Sequence, residues 1–303
     1  MLALAVAAAC GGTQKHDPQP PVPPTDSAAK IEGGPVDHTL VRLVSPGDGA
    51  RAQLRVSPKV GAKQAIELAI DISQSTRVGG THPVEQKDTV PTVVLSGTAE
   101  VKTVDAHGAA YQLVVTTVDV RGESASMSAD KLATFRTALG ALKGMTIDST
   151  IAPNGAAGEL KLHLDSADQG TRELMSVFQV ALPAWPVLPN EPIGVGAKWQ
   201  VVAPAKLLED KLDVIETTDY ELVKHEGATW TIRGTTRVTG TDQSAGGAQV
   251  SNITGTGSIE VALVDGVLYP TTKASIATEF LATMGDATSG TVAISRTTQF
   301  TPK

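Results

Sequence analysis

In the stretch Ile66-Glu67-Leu68-Ala69-Ile70-Asp71-Ile72, large apolar residues fall on every second position. A period of two belongs to a strand with one face on a core and the other in water. Further β-rich runs occupy 90–104, 111–120, 145–151, 159–164, 198–202, 213–224, 229–239, 249–264, 267–277 and 291–300. The gaps carry His107-Gly108, Asn154-Gly155, Glu226-Gly227 and Asp265-Gly266. Gly and Asn tolerate the positive φ of tight hairpin turns. Long strands joined by such turns predict a mainly β chain built as an antiparallel meander. Aromatics make up only 3% of the 303 residues, against 41% hydrophobic overall. The core must therefore be built from Val, Ile, Leu and Ala.

Two segments depart from the strand period. Ser128 is a natural N-cap, Leu132, Phe135, Leu139 and Leu142 follow at helical spacing, and Gly144 ends the run. The second covers 166–181, with Leu174, Val177, Phe178 and Ala181 as its apolar stripe and Pro183 beyond it. The spacing predicts two amphipathic helices. Their residues Leu132, Phe135, Leu139, Leu174 and Phe178 either pack on the sheet as ordinary core or line a pocket for a hydrophobic ligand.

The chain also echoes itself. Val60-Gly61-Ala62-Lys63 recurs as Val195-Gly196-Ala197-Lys198, and the segment from Thr103 resembles that from Glu221, with Tyr111 answering Trp230. This suggests a duplicated unit with halves 58–182 and 183–303, although Gly-punctuated β sequences imitate one another easily.

The N-terminus reads differently. Residues 2–9 form a continuous apolar run that stops at Cys10, the only cysteine. The run is far shorter than the roughly 20 residues a bilayer-spanning helix needs, and it suits the apolar region of a secretory signal. Ala7-Ala8-Ala9-Cys10 resembles the bacterial lipobox, in which small residues precede a cysteine that is diacylated on sulfur and becomes the new N-terminus. Ala7 stands where that pattern prefers Leu, and no Lys or Arg precedes the run. We therefore expect 1–9 to be a signal peptide whose natural start lies upstream. Residues 10–37 are rich in Pro, Gly and charge, a composition that buries too little to fold and suits a spacer between an acylated Cys10 and a folded domain over 38–303. Gly11 rather than Asp follows the cysteine; by resemblance to enterobacterial sorting, this points to the outer membrane. The expected setting is the bacterial cell envelope, with acyl chains as the membrane contact.

Net charge is −7 and the pI about 5.4. With no Lys/Arg cluster, nucleic acid is excluded as a natural partner. One cysteine allows neither an intrachain disulfide nor a thiolate metal site. Catalytic motifs are fragmentary. Ser128-x-x-Lys131 matches the nucleophile–base pair of penicillin-recognising enzymes but lacks their further motifs, and a capping serine explains Ser128 more simply. The six histidines never fall at metal-ligand spacing. Gly194-Val195-Gly196-Ala197-Lys198 lacks the full phosphate-loop spacing. The sequence calls for no cofactor and no metal. Trp185 lies among prolines, either as an exposed contact or as a plug at one end of the sheet. Loops at 78–88 and 241–247 are expected to be exposed.

Residues 181–201, ALPAWPVLPNEPIGVGAKWQV, resemble a segment of uncharacterised bacterial lipoproteins in which a Pro-rich turn leads through P-x-x-x-G-x-x-W into a strand. Here the matching residues are Pro192, Gly196 and Trp199. Those proteins look like periplasmic carriers of the LolA and LppX type. The resemblance implies a large curved antiparallel sheet, an open half-barrel with the two helices packed on its concave face. It also implies binding or carriage of a hydrophobic ligand such as a lipid. The competing expectation is a non-catalytic envelope interaction or structural lipoprotein with a filled core.

Overall fold

The computed structural model describes residues 29–33, 39–78, 84–122, 127–182, 185–207, 212–284 and 288–303. Cys10 and the apolar run before it lie outside the described residues. In chain order the elements are β1 (Ala29–Gly33), β2 (Leu40–Ser45), β3 (Asp48–Ala52), β4 (Lys63–Val78), β5 (Val84–Thr89), β6 (Thr92–Asp105), β7 (Gly108–Arg121), α1 (Ala129–Gly140), β8 (Thr146–Ile151), β9 (Leu160–Leu164), α2 (Gln169–Ala181), β10 (Ile193–Val195), β11 (Lys198–Leu207), β12 (Leu212–Glu226), β13 (Thr229–Thr239), β14 (Gln243–Ala245), β15 (Ala248–Val264), β16 (Thr271–Met284) and β17 (Thr288–Pro302).

Among the described residues, fifteen strands form one antiparallel sheet, ordered β1-β9-β8-β7-β6-β4-β17-β16-β15-β13-β12-β11-β2, with β5 pairing β4 and β14 pairing β15. β3 and β10 form a separate pair. The large sheet is open, with β1 and β2 at its two ends. Alternation along the strands explains why it is one-sided. β9 is buried at Leu160, Leu162 and Leu164 and exposed between them. The other face carries Thr254, Thr256, Ser258 and Glu260 on β15, and Lys273, Ser275 and Glu279 on β16, all exposed. A membrane-spanning barrel needs an apolar outward band; these strands turn their polar side outward.

The inner face is strongly curved, and glycines permit it. A Cβ at Gly257 would stand 2.6 Å from the Ser275 carbonyl oxygen on the next strand, and one at Gly255 would stand 2.7 Å from that of Ala277. Glycine in a strand interior marks such a close backbone approach.

Both helices form where sequence places them. Ser128 caps α1, its hydroxyl accepting the Lys131 N–H at 3.4 Å, which gives it a structural role. Asp168 caps α2, accepting the Thr171 N–H at 2.7 Å. The helices lie at one end of the sheet, with α1 on β7 and α2 on β1 and β9, rather than across its whole open side. They complete the main core. Leu139 and Phe178 are buried in it, while Leu132, Phe135 and Leu174 pack against it half-buried. A second, smaller core at the far end joins Leu212, Val214, Val238, Val250, Ile253, Phe280 and Val292.

Several expectations change. Ala29–Gly33, inside the segment read as a spacer, pairs with Leu160–Leu164; its Ala-Lys-Ile-Glu-Gly stretch lies in a proline-free run, 25–34, between the prolines of that segment. The expected loops at 78–88 and 241–247 contain β5 and β14, paired to β4 and β15. Residues 267–270, read as strand, instead form a connection that buries Leu268 and Tyr269.

The two Val-Gly-Ala-Lys segments share a local geometry. Gly61 and Gly196 have φ of 75° and 82°. The Gly61 N–H donates to Val101 and the Val101 N–H to Ala62; the Gly196 N–H donates to Leu222 and the Leu222 N–H to Ala197. The hairpins that follow are each bulged just beyond, at Val101/Thr103 and at Leu222/Lys224. In this register Tyr111, opposite Val101, corresponds to Ile232, opposite Leu222, and not to Trp230.

Candidate functional site

The aromatic side chains are few, and most of them pack in the main core. Trp185 is buried, its indole N–H donating to the Leu268 carbonyl at 2.6 Å. It stacks on Tyr269 with ring centroids 4.5 Å apart, and Tyr269 stacks on Phe300 at the same separation. Tyr111 meets Tyr269 edge-on at 5.5 Å. The Gln64 side chain clamps the Tyr269 backbone, accepting its N–H and donating to its carbonyl, each at 2.9 Å. Trp185 is therefore a plug and not a surface contact. Trp199, the tryptophan of the lipoprotein-like segment, is also buried. It stacks on Tyr220 at 5.3 Å and donates to the Val187 carbonyl at 2.8 Å. Burial pushes the Tyr111, Tyr220 and Tyr269 hydroxyls above the ordinary tyrosine range.

The helix residues singled out from sequence do come together, since all five join the same core. Leu139 and Phe178 are each only 1% exposed, and they fill that core.

The accessible part of the inner face lies elsewhere, midway along the long strands. Directly opposed residues of an antiparallel pair share a face, so the register can be followed across the sheet. One row runs Thr218, Thr236, Gly257, Ile276, Arg296 and Ile72. The next runs Glu216, Val238, Gly255, Thr278, Ile294 and Gln74. In these rows Ile72, Ile276, Ile294, Arg296 and Glu216 are half-buried, whereas inner-face residues toward both strand ends, such as Phe280, Val292, Leu222 and Phe300, are buried. These half-buried positions form the trough between the two cores: Ile72 packs against the main core and Ile276 and Ile294 against the smaller one, while Thr218, Val238 and Thr278 of the same rows are buried.

Two charges face into it. Burial raises the Glu216 carboxyl above the usual carboxylate range, with Arg296 pulling it down. Burial likewise lowers Arg296, with Glu216 opposing. Their strands, β12 and β17, stand four places apart, about 19 Å in a flat sheet. Among the described residues neither group makes an ion pair or side-chain hydrogen bond. In the row beside Glu216 the Thr218 and Thr236 hydroxyls hydrogen-bond at 2.9 Å.

Sequence reasoning missed this trough because it looked to the helices. A signal was present: Glu216 interrupts the apolar phase Leu212, Val214, Tyr220, Leu222, and Arg296 interrupts Val292, Ile294, Phe300. A charge in the inward phase of a strand is costly unless compensated.

Comparisons with known proteins add little. No protein-family model matches the chain, and no curated protein matches it. Among solved structures, an outer membrane channel from Pseudomonas putida F1 aligns over 81% of this chain and 97% of its own, at 10% identity and a TM-score of 0.20. A score that low carries no inference about fold or function.

Proposed function

We propose that this is a lipid-anchored protein of the bacterial envelope that binds or carries a hydrophobic ligand, held in the inner trough. The observation that carries the reading is the half-buried isoleucine set, Ile72, Ile276 and Ile294, at the middle of an inner face whose two ends are filled. Apolar side chains left accessible inside a rolled sheet are covered favourably by an apolar chain, at about 25 cal/mol per Å² of surface removed from water. The lipobox-like Ala7–Cys10 stretch and the LolA- and LppX-like segment at 181–201 support the envelope setting, with acyl chains on Cys10 as the membrane contact and the outer membrane as the destination.

The test is native mass spectrometry of the full chain, produced in a bacterium with a complete signal and gently extracted. The expected species begins at acylated Cys10 and carries an additional non-covalent lipid mass. Ile276→Trp, which fills the trough, is expected to remove that mass without unfolding the protein. Wild type and Ile276→Trp carrying equal lipid would refute the trough as the binding site. Cys10→Ser is expected to leave the membrane fraction; a variant that still sediments with membranes would refute the anchor.

A second reading is favoured by the close burial of Leu139 and Phe178: an envelope scaffold with a filled core and no ligand. It predicts acylation with no retained lipid in the same spectrum.

A further inference from the structure

We propose that β1 is a clasp: seated on β9 while covalently tied to β2, it holds the two ends of the large sheet close together, and its release lets them part. The clasp needs no ligand and acts on the shape of the sheet itself.

Chain length set against strand order carries the proposal. β1 and β2 are consecutive in the described chain, yet they stand at opposite ends of the sheet. Twelve strand spacings separate them along the path, about 58 Å in a flat sheet. Gly33 ends β1 and Leu40 opens β2. The chain between those two residues reaches about 25 Å at full extension. The pairing of β1 with β9 therefore requires the sheet to curl until its ends lie less than half their flat separation apart. Among the described residues β1 and β2 do not pair with each other, so the chain, and not a hydrogen-bond ladder, joins the two ends.

β1 also secures the end of the sheet on which it sits. β9 pairs with β8 only over Lys161–His163, but with β1 along its whole length, Leu160–Leu164. β1 touches α2 as well. At the other end β2 pairs with Lys198–Val202 of β11, whose Trp199 is buried in the main core, so that end of the clasp is firmly held. β1 itself is five residues long and, among the described residues, has β9 as its one paired neighbour. A short edge strand of this kind belongs to the part of a fold that opens first. The 28 residues that precede β1 connect to the sheet through it, so a force or partner acting on them reaches the clasp first. Lifting β1 away leaves the edge of β9 with unpaired amides, open to another strand.

The test uses the full chain with Cys10→Ser, so that only introduced thiols react. A Gly/Ser linker of about fifteen residues, inserted between Gly34 and Pro35, adds about 50 Å of reach and leaves β1 free to keep its seat. Double electron–electron resonance between spin labels at Arg42→Cys and Lys161→Cys, both exposed positions, reads the separation of the two ends. The linker is expected to lengthen that separation by about 10 Å or more, two strand spacings. An unchanged distance would overturn the clasp, because the curvature would then reside in the sheet alone. Glu32→Cys with Lys161→Cys, directly opposed in register, is expected to form a disulfide within one chain, with the linker and without it. Disulfide-linked dimers would also overturn the proposal, since β1 would then pair with a second copy. Ile31→Pro, which takes an amide out of the ladder, is expected to speed hydrogen exchange in β9 by about tenfold while β13 and β15 keep their protection. Unaltered exchange in β9 would show that β1 secures nothing.

Discussion

Replacing Trp185 separates a structural plug from a surface contact. The indole touches Tyr111 and Tyr269, with ring centroids 5.8 and 4.5 Å away, and donates to the Leu268 carbonyl at 2.6 Å. Trp185→Ala removes the ring and leaves a cavity in the main core, a change that costs about 3–5 kcal/mol. Trp185→Phe keeps an aromatic ring against Tyr269 but strips the Leu268 carbonyl of its donor, for about 1–3 kcal/mol. A domain of this size loses about 2–4 °C of melting temperature per kcal/mol, so the Ala variant should melt roughly 6–20 °C below wild type. The Phe variant should fall between the two. Urea unfolding followed by far-ultraviolet circular dichroism gives the free energies, and a thermal scan gives the order. A surface tryptophan would change stability by no more than about 0.5 kcal/mol. A Trp185→Ala variant that unfolds at the wild-type urea concentration would refute the plug and return Trp185 to the surface.

Three further outcomes follow from particular residues. Glu216→Gln should raise stability at neutral pH, because the folded-state pKa of Glu216 is raised, chiefly by burial. The sign follows from linkage: ionisation is penalised in the folded state above that raised pKa, and the penalty vanishes once pH falls below the unfolded value near 4.5. The difference between variant and wild type should therefore shrink toward zero in acid; a difference constant with pH would exclude the carboxylate as its source. Gly257→Ala should cost about 1–3 kcal/mol in urea unfolding, because its Cβ would meet the Ser275 carbonyl and the strands must part. A neutral outcome would mean the sheet bends elsewhere. Gly61→Ala and Gly196→Ala, whose positions are open but left-handed, should each cost about 1–2 kcal/mol and by similar amounts; strongly unequal losses would show that the two turns are not equivalent.

Much of the strand content is legible residue by residue. Period-two alternation finds β8, β9, β12 and β13 to within a residue or two, since each has one buried and one wet face. It loses β5, Val-Glu-Gln-Lys-Asp-Thr, which is mostly exposed and held by β4 alone, and β1, which sits in a segment dominated by proline. α1 and α2 are legible through their caps and stripes. The trough is not, because it depends on register between segments far apart in sequence. Arg296 stands in the row of Thr218 only through four successive strand pairings, and no local pattern specifies them. Trp185 is ambiguous for a related reason: its proline-rich surroundings describe a loop, and only Tyr269, 84 positions along, shows that the loop is covered.

The position of β17 carries a consequence for assembly. This late segment, residues 288–302, lies between β4 and β16, so it alone joins the early strands to the later ones at the middle of the sheet. Until it is seated, β4 and β16 are long open edges, each with a row of unpaired amides able to recruit another chain. Sheets dominated by such distant pairings fold slowly, and partly folded chains with free edges aggregate. A growing chain can therefore zip β6 to β7 or β12 to β13 locally, yet it must keep two sticky halves apart until residue 302 is free to insert. A holdase that shields strand edges would raise the yield of this protein more than one that shields apolar surface.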